Sequence, residues 1–148
     1  MTTLAVRPVA SSDRAAWGVL YEGYAGFYGV DQTDDMRDRV WGWLMDAGHE
    51  VNGFVAEQDG VLVGLAHYRP FARPLAAATG GFMDDLFVSP AARGTGAAAA
   101  LIDTVKAEGI KRGWSVIRWI TADDNARARG LYDKIATQTA WVTYDIKI

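Results

Sequence analysis

One stretch of this chain, Gly81 to Thr121, constrains its fold more than any other. A strand-like run from Gly81 to Val88 is stopped by Ser89-Pro90 and turned by Arg93-Gly94-Thr95-Gly96. Ala98, Leu101, Ile102, Val105 and Gly109 then fall on one face of a helix, and Ser115 to Thr121 reads as a buried strand. Strand, tight turn, helix, strand is a crossover that returns the chain in its original direction. The two strands are expected to be parallel, in a sheet layered with helices.

The flanking sequence fits that layering. Leu4 to Arg7 predicts a first strand, closed by Pro8. Ser12 and Asp13 are expected to cap a helix carrying Trp17, Leu20, Tyr21, Tyr24 and Tyr28 at helical spacing, with Gly29 at its end. Asp34 and Asp35 open a second helix whose predicted apolar face is Met36, Val40, Trp43, Leu44 and Ala47. Phe54 to Glu57 and Val61 to Tyr68 flank Asp59-Gly60, a hairpin signal, and a loop with Pro70 and Pro74 follows. Asp123 or Asp124 is expected to cap a fourth helix reaching about Ala136. Trp141 to Ile148 alternates like a terminal strand. Residues 1–148 are expected to form a single mixed α/β domain.

Composition excludes several chemistries. Half of the residues are hydrophobic and 22% are charged, which suits a packed core rather than disorder. No cysteine is present, so disulfides, thiolate nucleophiles and cysteine-based zinc sites are all excluded. His49 and His67 are too far apart in sequence to read as a metal pair, and no metal is expected. A net charge of −3 gives no footprint for nucleic acid. No run approaches the ~20 apolar residues of a membrane span, and the start lacks a long apolar signal. A cytoplasmic protein is expected, with no membrane partner.

The turn at Arg93 to Gly96 carries the chemistry. Glycines allow close backbone approach to a ligand, and the first amides of a helix point outward unpaired. Such a helix start favours phosphate or pyrophosphate. The Gly-Lys-Ser/Thr ending of a nucleotide P-loop is missing, and so is the last glycine of the dinucleotide fingerprint. A second block runs from Asn125 to Lys134, in which Asn125 and Tyr132 stand seven residues apart and so share a helix face.

Arg93-x-x-Gly96-x-Ala98, preceded by Leu86-Phe87-Val88-Ser89-Pro90, resembles the acetyl-CoA signature of the GNAT N-acetyltransferase superfamily. Asn125 and Tyr132 resemble that family's second cofactor element, in the family's order and spacing. The resemblance implies an α/β GNAT fold with a mixed central sheet of about six to seven strands flanked by four helices. It implies acetyl-CoA as co-substrate. Leu86, Phe87 and Val88 would offer backbone groups to the pantetheine arm and the acetyl carbonyl. Arg93, Gly94, Thr95, Gly96, Ala97 and Ala98 would cradle the pyrophosphate. Asn125 would bind the pantetheine arm or organise the site, and Tyr132 would act as general acid on the departing thiolate. Retained Tyr132 disfavours a non-catalytic acetyl-CoA-binding regulator.

An amine attacks only when neutral, so a proton acceptor is needed. Asp84 and Asp85 are the candidates, since Met83 to Val88 resembles the acidic pair before this strand in polyamine acetyltransferases. Strand alternation predicts that the two face opposite ways. His67 and, more weakly, Glu57 are further candidates. Seven acidic residues between Glu22 and Glu50 face only Arg37 and Arg39 in that segment, a balance that would draw a cationic amine. Tyr21, Tyr24, Phe27, Tyr28, Trp41 and Trp43 cluster there too, mostly as core and in part as pocket. The expected acceptor is a small-molecule primary amine, with protein lysine or N-terminal acetylation as the other enzymatic reading. A terminal strand without a hairpin partner predicts a homodimer.

Overall fold

The computed structural model describes residues 3–148. Its sheet has five strands in chain order: β1 (Leu4–Pro8), β2 (Asn52–Gln58), β3 (Val61–Arg73), β4 (Ala78–Val88) and β5 (Ile117–Arg118). The first four pair antiparallel, and β4 and β5 pair parallel, as the crossover requires. Four helices cover it: α1 (Arg14–Phe27), α2 (Asp34–Met45), α3 (Ala97–Arg112) and α4 (Ala126–Ile135).

Helices pack on both sheet faces, so the central strands carry apolar side chains on each side. Val55 and Leu65 point to one face, where Trp17, Leu20 and Tyr21 of α1 meet Val40, Trp41 and Leu44 of α2. Phe54, Ala56 and Ala66 point to the other, against Leu101, Ile102 and Val105 of α3, with Leu131 and Tyr132 of α4 at its margin. The β2–β3 hairpin turns at Asp59 and Gly60, both with positive φ, the geometry that favours this dipeptide.

The structure corrects several expectations. The sheet is smaller than six to seven strands, because residues 141–148 form no strand and Trp141, Val142, Tyr144, Ile146 and Ile148 are exposed. Alternation alone does not make a strand that has nothing to pair with. The stretch read as a strand over Ser115 to Thr121 is in register with β4 only at Ile117 and Arg118. Pro70 and Pro74 do not lie in one loop. β3 continues through Pro70, where β4 is its only neighbour, so the missing N–H is tolerated on a one-edged hairpin arm. The α2 cap is Thr33, whose Oγ1 accepts from Met36 N at 3.2 Å. Met36 and Trp43 are exposed, while Trp41 joins the core instead. Asn125, not Asp123 or Asp124, caps α4, because its side chain can reach the Ala128 amide. Asp13 precedes α1 but turns back to Arg7, which donates to it at 2.7 and 2.9 Å.

Candidate active site

Two cavities lie along the C-terminal half of β4. The larger, about 850 Å³, is lined by Leu86, Phe87 and Val88, by the start of α3, by Asn125 and Tyr132, and by Tyr24, Phe27 and Tyr28 of α1. The smaller, about 440 Å³, is lined by Tyr21, Trp43, His49, Glu50, His67, Arg69, Asp84 and Asp85, among others. Asp85 and Leu86 are adjacent on β4, and Tyr21 and Tyr24 are one turn apart on α1. β4 and α1 therefore contribute to both cavities.

The large cavity has features that suit an elongated anionic ligand. β4 and β5 are in register only at Gly81–Ile117 and Phe82–Arg118, so β4 runs on from Met83 to Val88 with no strand on that side. Its outward backbone groups there can serve a ligand's amides, as a neighbouring strand would. The chain then turns through Gly94 (φ 82°) and Gly96 (φ 85°), conformations costly to residues with a Cβ. The first helical bond of α3 runs from Ala100 N to Gly96 O at 3.0 Å. The amides of Ala97, Ala98 and Ala99 thus lack partners within the helix. Ala97, Ala98 and Ala99 line the cavity with Arg93, Gly94 and Gly96. An N-terminal dipole, free amides and one guanidinium fit a pyrophosphate. Thr95 does not line the cavity. Its hydroxyl is spent on Ala92 O at 2.6 Å.

Asn125 and Tyr132 both line this cavity. Asn125 also donates to Thr121 Oγ1 at 3.3 Å, so it holds the loop before α4 as well. Tyr132 packs edge-on against Trp119, with ring centroids 5.3 Å apart. Burial, helped by the neighbouring Tyr28, pushes its hydroxyl up to about 12, so the phenol keeps its proton at neutral pH.

The small cavity gathers the charged groups. A register shift opposite His67 and Tyr68 leaves Asp84 as an extra residue in β4. Such a bulge breaks alternation. Asp84 and Asp85, expected on opposite faces, both line the same cavity. Asp85 Oδ2 accepts from Tyr21 at 2.9 Å and lies 2.7 Å from His67 Nδ1. Burial alone would raise its pKa, but the hydrogen bonds from His67 and Tyr21 prevail and hold it below the ordinary carboxylate range. Asp84 accepts from Arg69 Nε at 3.0 Å. Burial outweighs that pairing and raises it. Tyr21 and Tyr24 are both raised by burial and by the Asp85 charge.

Glu57 stands elsewhere, 3.4 Å from Arg7. Of the seven acidic residues between Glu22 and Glu50, Glu50 alone lines the small cavity. Asp34 and Asp38 are paired with Arg37 and Arg14. The sequence reading missed Arg69, and it missed the stack of Trp43 on His49, with centroids 5.0 Å apart and planes 3° from parallel. The aromatic cluster divides by position: Tyr21 and Trp43 line the small cavity, Tyr24, Phe27 and Tyr28 the large one, and Trp41 the core. Among the described residues no cluster could hold a metal, and no helix is long and apolar enough to cross a membrane.

A family model described as the acetyltransferase (GNAT) family matches residues 17–136. The D-amino-acid N-acetyltransferase HPA3 of Saccharomyces cerevisiae (strain ATCC 204508 / S288c) is 27% identical over 143 residues, covering 95% of this chain and 89% of that protein. The aminoglycoside N-acetyltransferase AAC(6')-Iy, solved in complex with CoA, superposes with a TM-score of 0.86 at 20% identity, covering 99% of this chain and 96% of that one. A ribosomal-protein-alanine N-acetyltransferase from Brucella melitensis biovar Abortus 2308 gives 0.82 at 24% identity, covering 99% of each chain.

Proposed function

The chain belongs to the GNAT family of acetyltransferases, and from that premise we propose that it passes an acetyl group directly from acetyl-CoA to the primary amine of a small molecule seated beside Asp84 and Asp85. It is an N-acetyltransferase that uses acetyl-CoA. The observation that carries the acceptor assignment is that β4 and α1 line both cavities: the cleft with helix-start amides begins at Leu86, one residue along β4 from Asp85 of the acidic cavity. Acetyl-CoA lies in the first and the amine in the second, so attack occurs within a ternary complex, which needs no cysteine.

The residues divide the work. Amides of Ala97, Ala98 and Ala99, with Arg93, Gly94 and Gly96, hold the pyrophosphate. Backbone groups of Leu86, Phe87 and Val88 hold the pantetheine arm and face the developing oxyanion. Asn125 orders the wall beside them. Tyr132, protonated at neutral pH, gives its proton to the leaving sulfur. Asp85 and Asp84 hold the ammonium and take up the proton it sheds. The relatives' printed acceptors, D-amino acids and an aminoglycoside-derived amine among them, fit a small cationic amine in a cavity of this size.

The test is free-thiol release from acetyl-CoA with a panel of small amines, a peptide amine and no acceptor. Fastest turnover with small cationic amines is expected. Preference for the peptide would replace the acceptor assignment, and thiol release indifferent to added amine would defeat it. The same proposal covers a single catalytic domain acting in the cytoplasm as a homodimer, in which exposed Trp141 to Ile148 packs on a second copy.

A further inference from the structure

His67 lines the small cavity at 2% exposure, and Trp17, fully buried in the core, stands behind it. Trp17 Nε1 donates to His67 Nε2 at 3.0 Å. An indole N–H only donates, so Nε2 must be the accepting nitrogen. The ring hydrogen then sits on Nδ1 and is donated to Asp85 Oδ2 at 2.7 Å. Tyr21 donates to the same oxygen at 2.9 Å. Every hydrogen in this chain points toward the carboxylate, and two elements, α1 and β3, supply the donors.

We infer that Trp17 and His67 are positioning residues for the acceptor site: a one-way donor chain that locks one tautomer of the imidazole and so orients the Asp85 carboxylate toward the amine. The inference rests on the acceptor role proposed above for Asp85. His67 is thereby removed as a proton acceptor. Its free lone pair is occupied by Trp17, which has none to pass a proton to, so no relay runs into the core. A proton taken up at Asp85 must leave on the cavity side.

A purely space-filling histidine would also be buried, so the directionality is what needs testing. The groups facing Asp85 are Tyr21 and Tyr24 from α1, His67 from β3, its neighbour Asp84 with the paired Arg69, and His49 and Glu50 across the cavity. Varying His67 and Trp17 leaves all the others in place.

Two readings use the ligand-free protein. Long-range ¹⁵N–¹H correlation should show His67 hydrogen-bearing at Nδ1 and bare at Nε2, and Trp17→Phe should admit the other tautomer. Carboxylate ¹³C titration should show the Asp85 midpoint moving upward in His67→Leu but staying near its original place in His67→Gln, whose amide can still donate. With acetyl-CoA and D-alanine as probe acceptor, kcat/KM at pH 6 should fall roughly ten- to a hundredfold in His67→Leu, the worth of one hydrogen bond to a charged group. It should be largely restored in His67→Gln, with KM for acetyl-CoA unmoved. Equal behaviour of Leu and Gln variants, or a His67 ring hydrogen on Nε2, overturns the inference. Both spectroscopic readings stand whether or not D-alanine is acetylated. Failure of the acceptor assignment shows separately, as absent thiol release with the wild-type signatures intact.

Discussion

The two cavities that β4 lines are built from different materials. The large one offers its polar groups chiefly from backbone: an unpaired strand edge, two glycines of positive φ and a helix start whose side chains are only methyls. The small one is mostly side chains, brought from α1, α2, the loop before β2, β3 and β4. A backbone site needs a contiguous stretch with a fixed local conformation. A side-chain site needs only that the fold bring its parts together. The first is therefore expected to respond to conformation and the second to charge, and each prediction below can break that division.

The largest effect is expected at the one side chain assigned chemistry in the backbone-built cleft. Tyr132→Phe keeps the ring against Trp119 and removes the proton, so kcat should fall by about 10²–10⁴-fold while acetyl-CoA affinity changes little. Steady-state kinetics with calorimetric titration of acetyl-CoA measures both, and full activity would remove Tyr132 from the mechanism.

Next comes Gly96→Val. At φ 85° a β-branched residue is strained, and forcing the turn to another conformation moves the α3 amides. Acetyl-CoA affinity should fall at least tenfold, about 1.4 kcal/mol or more, with a folded circular-dichroism spectrum. Unchanged affinity would mean that conformation does not govern this cleft.

The charge-built cavity should respond to acid and salt. If Asp85 is the working carboxylate, kcat/KM should hold down to below the ordinary carboxylate range, because that group is held low. An acid limb above that range would name Asp84, which is raised. The sign for stability follows from the same direction. Asp85 is lower in the folded protein than in the unfolded chain, so its network stabilises the fold above the unfolded pKa and ceases to do so as pH falls through the folded one. Asp85→Asn should raise the acceptor KM several-fold, roughly the worth of one partly buried charge contact. Added salt should do the same more weakly.

The smallest effect on catalysis is expected at residues that line neither cavity. Deleting residues 141–148 should convert a dimer to a monomer by light scattering at micromolar concentration, with kcat per protomer nearly unchanged. A full-length chain that is already monomeric would dispose of the dimer.

This division of materials also explains what the sequence made legible. The parallel crossover, the hairpin at Asp59-Gly60 and the Arg93–Ala98 turn are local, and each appears in the sequence at its own position. The use of the Thr95 hydroxyl on Ala92 O is not legible there, because a contiguous motif does not say which way each side chain turns. The pairing of Trp17 with His67 spans 50 residues and leaves no periodic trace. Nor does the bulge at Asp84, which depends on the registers of two strands at once. The terminal strand failed for a similar reason: alternation marks a segment able to pair, but the pairing needs a partner.

The strand edge left open beyond Phe82 has a consequence for the life of the protein in a cell. Unpaired edges invite association with other chains, and this one lies beside aromatic side chains at the cavity wall. Acetyl-CoA would cover it, and a ligand bound only by the folded state stabilises by mass action, about 2.7 kcal/mol at a hundredfold excess over Kd. The co-substrate then acts as a chaperone, and abundance should follow its supply. Pulse proteolysis with and without CoA would measure this, and equal survival in both would disprove it.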